Sequence, residues 1–176
     1  MIARFLPQWR MPAQSSLLTA DIAAVRSDDA AVLVMLARAF LGEEGRTLDA
    51  AGKAALVAIA EGEPMARAWL VRNGERAVGY LITTLGFSVE YGGRDGFIDD
   101  VYLVPEARGA GLGRRLLAFA LAEAERLGVR TLHLEVDVEN ERATGLYRAD
   151  GFEETGRRLM RRRVMRAEPR ASEPRG

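Results

Sequence analysis

The 176-residue chain has no cysteine. That absence removes disulfides, thiolate metal centres, cysteine nucleophiles and acyl-cysteine intermediates together. Histidine is nearly absent too: His133 is the single one. A multi-histidine zinc site is excluded, and a Ser-His-Asp triad would have to be built on that residue. Net charge is also missing, since 25 basic side chains meet 25 acidic ones. Nucleic-acid binders show a basic excess, so none is expected here. Lys53 is the only lysine among the basic residues, which reads as codon-composition bias. No apolar run approaches the roughly 20 residues that span a bilayer. A signal peptide needs about 7–15 uninterrupted apolar residues. Pro7, Gln8, Arg10 and Pro12 break any such run. Residues 1–20 are read as an N-terminal extension to a cytoplasmic domain without a membrane partner.

Apolar residues make up 48% of the chain, ordinary for one globular domain of this length. Residues 21–164 are expected to form it. Residues 165–176, with two prolines, charge and little apolar content, are expected to be disordered. Asp21–Arg26 reads as a first strand. Ser27, followed by Asp28 and Asp29, offers an N-cap to a helix with Leu33, Leu36, Ala37, Phe40 and Leu41 on one face. Thr47 can cap a second helix ending near Gly62 and Pro64. Strands follow at Ala68–Val71, Ala77–Val89 and Phe97–Val104, with a hairpin at Asn73-Gly74. A glycine-rich turn opens a helix running to about Leu127. Strand Thr131–Val136, helix Glu139–Ala149 and a last strand near Arg157–Val164 complete the pattern. The strand–helix–strand stretch predicts a right-handed crossover between parallel strands. The fold class is therefore α/β with a mixed sheet.

The densest signal is Val101–Leu116, VYLVPEARGAGLGRRL. Glycines at 109, 111 and 113 permit a tight turn with no Cβ in a ligand's way. At a helix N-terminus such a turn offers amide groups and a favourable dipole to phosphate. Arg108, Arg114 and Arg115 add positive charge. A P-loop would need a lysine after the last glycine, and none is there. A Rossmann turn would place its third glycine one residue later, although Glu135 and Asp137 stand where a ribose-binding acid would be.

The pattern is R-x-x-G-x-G, carried by Arg108, Gly111 and Gly113. Downstream, Asn140-x-x-Ala143-x-x-x-Tyr147-x-x-x-Gly151-Phe152 follows in order. These two motifs resemble the GNAT superfamily of acetyl-CoA-dependent N-acyltransferases over roughly Asp21–Val164. The resemblance implies a central twisted, mostly antiparallel sheet, a parallel splay between strands four and five, and about four flanking helices. It implies acetyl-CoA as co-substrate and no metal. The pantetheine arm would pair with the backbone of Val101, Tyr102 and Leu103. The pyrophosphate would rest on Gly109, Ala110, Gly111, Leu112, Gly113 and Arg114, beside the amide or side chain of Arg108. Asn140 would cap its helix and contact the pantetheine. Tyr147 would protonate the departing thiolate; packing in its helix face is the plainer role.

An ammonium group must lose a proton before it attacks, so a base is needed. Alternation sends Asp99 and Asp100 to opposite sheet faces. By likeness to family members with paired acids, Asp99 is the expected base, with Glu135 as substitute. His133 reads as a sheet or surface histidine, and Arg157–Arg163 as a solvated edge strand. The expected activity is acetyl transfer to a primary amine of a small molecule or peptide, in a ternary complex, by a monomer or homodimer. A non-catalytic acyl-CoA-binding module and an RNA-binding module using the arginine-rich tail are the alternatives. The acceptor depends on the first two helices and the Thr84–Phe97 hairpin, which the motifs do not describe.

Overall fold

The computed structural model describes residues 19–162 and 164. The expected N-terminal extension up to residue 18 and the expected tail lie outside the described residues. Strand β1 (Asp21–Ala24) is followed by a short 3-10 turn, Ser27–Asp29, and helix α1 (Ala30–Glu43). Helix α2 (Ala50–Ala60) leads into strands β2 (Ala66–Asn73), β3 (Arg76–Ser88) and β4 (Gly93–Leu103). A 3-10 turn at Pro105–Ala107 precedes helix α3 (Leu112–Arg126), strand β5 (Thr131–Leu134) and helix α4 (Glu141–Ala149). The five strands lie in the order β1-β2-β3-β4-β5. All neighbours are antiparallel except β4 and β5, which run parallel. Among the described residues no helix is long and apolar enough to cross a membrane.

Alternation along the strands builds a core on each side of the sheet. Trp69, Val71, Val78, Leu81 and Ile98 face α3, where Leu112, Leu116, Leu117 and Ala120 are buried. Leu70, Tyr80, Ile82 and Tyr102 face α1 and α2, which bury Leu33, Val34, Leu36, Ala37 and Leu56. At about 25 cal/mol per Å2 of apolar surface, these two layers supply the main folding force. They also hold the two ends of the candidate site in one frame, because α3 starts on one face and α1 ends on the other.

Several local expectations are corrected. Helix α2 is capped by Asp49, whose carboxylate accepts the Gly52 N–H at 2.7 Å, and not by Thr47. Asp is at least as good an N-cap, so the helix starts later. Strand β5 stops at Leu134, two residues short of the expected end. No strand forms over the described part of 157–164. Leu159 and Met160 are adjacent, so a strand would send them to opposite faces; both are exposed, at 73% and 91%. Arg157 is held instead by Glu90, 2.8 Å away.

One close approach matters for the site. A Cβ on Gly79 would lie 2.4 Å from the Tyr102 carbonyl oxygen and 2.6 Å from a Leu103 methyl. Only glycine lets β3 and the end of β4 meet this tightly.

Candidate active site

Strand β4 pairs with β5 only over Asp95–Ile98, opposite Thr131–Leu134. Past Ile98, β4 continues five residues to Leu103 without a partner on that side. A β-bulge sits at the point of parting. Thr83 lies opposite Ile98 and Ile82 opposite Asp100, so Asp99 is the extra residue. Bulges bend the strand that carries them, which takes β4 away from β5.

The open edge has a defined polarity. The Val104 N–H donates to the Val78 carbonyl at 2.9 Å. Main-chain groups alternate sides along a strand, so Tyr102 and Val104 point to β3 while Val101 and Leu103 point to the open edge. Of the three residues expected to offer backbone to a pantetheine arm, Val101 and Leu103 are placed to do so. Tyr102 instead directs its ring into the core beneath α1.

The edge leads into the glycine turn. Gly109 and Gly111 both have left-handed backbones, with φ of 83° and 79°. Gly111 is the N-cap of α3, and no side chain caps the helix. The first helical bond runs from the Arg115 N–H to the Gly111 carbonyl at 3.2 Å. The amides of Leu112, Gly113 and Arg114 precede that bond and are the unsatisfied donors of a 15-residue helix. Ala110 completes the turn and packs on the α3 core. These donors and the dipole suit a pyrophosphate. Arg114 borders the turn, its Nε 3.8 Å from Asp150. Arg108 turns its side chain away from the turn. Its Nε donates to the Leu103 carbonyl at 2.9 Å, and an amino group bonds Glu43 at 2.6 Å.

Asn140 caps α4 as expected, its Oδ1 accepting the Ala143 N–H at 3.1 Å. Tyr147 packs against the same core cluster as Val101 and Leu103 and meets Phe152 edge-on, with ring centroids 5.9 Å apart. Burial raises its pKa above the ordinary tyrosine value. Its hydroxyl therefore stays protonated at neutral pH.

The bulge interrupts the strand alternation on which the expected opposite facing of Asp99 and Asp100 rested. Asp100 lies opposite Ile82 on the α1 and α2 side and accepts a hydrogen bond from Tyr80 Oη at 3.0 Å. The Asp99 charge acts on both Asp100 and Tyr80. Burial pushes Asp100 up to about 6, against a partial lowering by the Tyr80 bond. Asp99 keeps contact with solvent, yet surrounding protein still raises its pKa. Glu135 stands exposed just beyond β5. His133 lies on β5 beside the Tyr91 ring at 5.0 Å and 3.9 Å from Asp95, a sheet histidine as expected.

Tyr80 and Glu43 were not foreseen. Tyr80 looks like any apolar strand residue in sequence, and its partner lies 20 positions away. Glu43 did carry a signal: a carboxylate in the last turn of a helix opposes the helix dipole.

The chain matches the Acetyltransferase (GNAT) family over residues 31–152. It belongs to that family, the class that the splayed sheet and glycine turn define. An integron cassette protein from the mobile metagenome of a salt marsh is 39% identical, with a TM-score of 0.72 over 84% of this chain and 91% of that one. The aminoglycoside N-acetyltransferase AAC(6')-Iy, crystallised in complex with CoA, shares the fold at 18% identity, with a TM-score of 0.69 over 83% of this chain and 95% of its own. Among curated relatives, an aminoglycoside N(6')-acetyltransferase of Stenotrophomonas maltophilia is 42% identical over 62 residues, 35% of this chain and 40% of that protein. The [ribosomal protein bS18]-alanine N-acetyltransferase of Escherichia coli K12 is 35% identical over 87 residues, 47% of this chain and 59% of that protein. The matches thus span less than two thirds of these relatives' lengths.

A pH dependence follows from Asp100. Its carboxyl holds a proton more tightly in the native chain than the ordinary value of 3.8 allows, up to about 6. The unfolded chain binds fewer protons in that window, so this group makes stability fall as pH rises from about 4 to about 6. Asp100→Asn retains an oxygen for Tyr80 and should remove that part of the fall. Urea denaturation at pH 4 and pH 7 should show the variant gaining on the parent at pH 7. An unchanged difference between the two pH values would contradict the perturbed carboxyl.

Proposed function

We propose that the chain transfers the acetyl group of acetyl-CoA to a primary amine of a small molecule or peptide, by direct attack in a ternary complex. The observation that carries this reading is the open edge of β4 running straight into the uncapped N-terminus of α3. The Val101 and Leu103 main chain faces that edge, and the Gly109–Arg114 turn follows it. The edge offers strand-like pairing to an amide-bearing pantetheine arm, and the turn offers amides to the pyrophosphate. The acyl donor fits the residues present without any metal.

A backbone N–H at the open edge, such as that of Val101, would hold the thioester oxygen as it gains charge. Such donors are worth about 10²–10³ in rate. Asp99 takes the proton of the incoming ammonium group, directly or through water. It is the accessible carboxylate of the pair, whereas Asp100 is committed to Tyr80. The amine then attacks the carbonyl carbon, the carbon–sulfur bond breaks, and Tyr147 gives its hydroxyl proton to the departing thiolate; the acylated nitrogen sheds its second proton, through solvent, to restore the Tyr147 hydroxyl. The carboxylates beside the edge favour a cationic acceptor. The two named relatives act on an aminoglycoside and a ribosomal-protein alanine, both amine-bearing acceptors.

A panel of amines with acetyl-CoA and a free-thiol readout tests the activity. At least one acceptor should release CoA at a rate above water hydrolysis. CoA binding without acceptor-dependent release from any amine would favour a non-catalytic acyl-CoA-binding module. On a good acceptor, Tyr147→Phe keeps the ring and removes the donor. Turnover should fall about 10²–10⁴-fold with little change in acetyl-CoA affinity. Parent-like turnover would reduce Tyr147 to core packing. Asp99→Asn should cost most near neutral pH and less at high pH, where more of the amine is already neutral. A loss independent of pH, or an equal one in Asp100→Asn, would remove Asp99 from the role.

A further inference from the structure

Glu43 is the last residue of α1, and that helix has no basic residue in its final turn. A carboxylate there opposes the helix dipole, so helix stability does not account for it. Its two oxygens are both engaged by groups at the end of β4 and just beyond it. One accepts from Tyr102 Oη at 2.8 Å, and the other from Arg108 at 2.6 Å. The Arg108 guanidinium also lies over the Tyr102 ring, 5.6 Å from its centroid, and its Nε binds the Leu103 carbonyl. The Arg108 bond leads the effects that hold the Glu43 pKa below the usual carboxylate range. The result is a closed ring of contacts joining α1, the end of β4 and the first residue of the R-x-x-G-x-G turn.

This ring changes what the open edge presents. Leu103 has its carbonyl on that edge, and Arg108 occupies it. The polar groups left for an incoming arm are those of Val101 and the Leu103 N–H. The same contact fixes Arg108 one residue before Gly109, and so sets where the turn begins. Without Glu43, the guanidinium would lose its anionic anchor and could leave the Leu103 carbonyl.

We propose that Glu43 is a positioning residue for the acetyl-CoA site, holding Arg108 on the Leu103 carbonyl so that the edge and the turn keep one relative geometry. The inference rests on the acetyl-CoA reading above and adds to it a residue 65 positions from Arg108 and outside both motifs. Glu43 does not touch the acyl donor; it acts through Arg108.

Calorimetric titration of the full chain with CoA tests this. Glu43→Gln should weaken CoA binding about three- to tenfold, the size of losing a partly exposed, charge-assisted ion pair. In steady state the loss should fall on the acetyl-CoA KM and far less on kcat. Glu43→Asp, which keeps the charge, should recover part of the affinity. Tyr102→Phe, which leaves the ion pair in place, should cost less than Glu43→Gln. The double variant Glu43→Gln/Arg108→Gln should bind no more weakly than Arg108→Gln alone, because both changes break one contact. Parent-like CoA affinity in Glu43→Gln, a loss confined to kcat, or additive losses in the double variant would each overturn the proposal. A parent chain that binds no CoA would overturn the acetyl-CoA reading with it. CoA binding by the parent with no effect of Glu43→Gln would overturn this inference alone.

Discussion

The bulge at Asp99 is the constraint on which the rest of the site depends. One extra residue in β4 has three consequences. It bends the strand where pairing with β5 stops, after Ile98 and Leu134. The main chain of Val101 and Leu103 is thereby left without a strand partner. The bulge also turns Asp100 to the α1 and α2 side, opposite Ile82 and against Tyr80. Unpaired main-chain groups are costly when buried, so an edge of this kind persists only where water or a ligand can satisfy it. The parting of the strands therefore leaves an edge whose main chain suits a molecule with its own amide donors and acceptors.

The sheet's two faces divide the work. On one face α3 carries its uncapped N-terminus, and its buried leucines anchor that helix against β2, β3 and β4. On the other face α1 and α2 cover Tyr80, Ile82 and Tyr102. Asp100 and Tyr80 belong to this second face, while Tyr147 packs with the first. The Asp100–Tyr80 pair and Tyr147 thus sit on opposite sides of the same opened strand.

Much of this was legible from spacing. The glycines at 109, 111 and 113 announced a turn at a helix start, and the structure gives two of them left-handed or capping roles. Asn140 followed by Ala143 announced the cap of α4. Both features are local, set by residues within one helical turn of each other, so sequence order carries them. The parallel pairing of β4 and β5 was also implied, because strands joined through a helix must cross over. The expected strand near residue 157 failed for the converse reason. Arginine density on a presumed strand says nothing of a neighbour to pair with, and Arg157 finds an ion pair with Glu90, 67 positions away, in place of a strand ladder.

The sequence by itself determined the family, the glycine turn at the start of α3 and the helix that carries Tyr147, because each depends on contacts between near neighbours in the chain. Only the tertiary structure decided which way Asp100 points, that Tyr80 holds it, and that Glu43 holds Arg108. A bulge arises from a mismatch between two strands, and neither strand records it alone. Side chains 20 and 65 residues apart meet because two cores fix β3, β4 and α1 in register. No periodicity within one element specifies a partner on another.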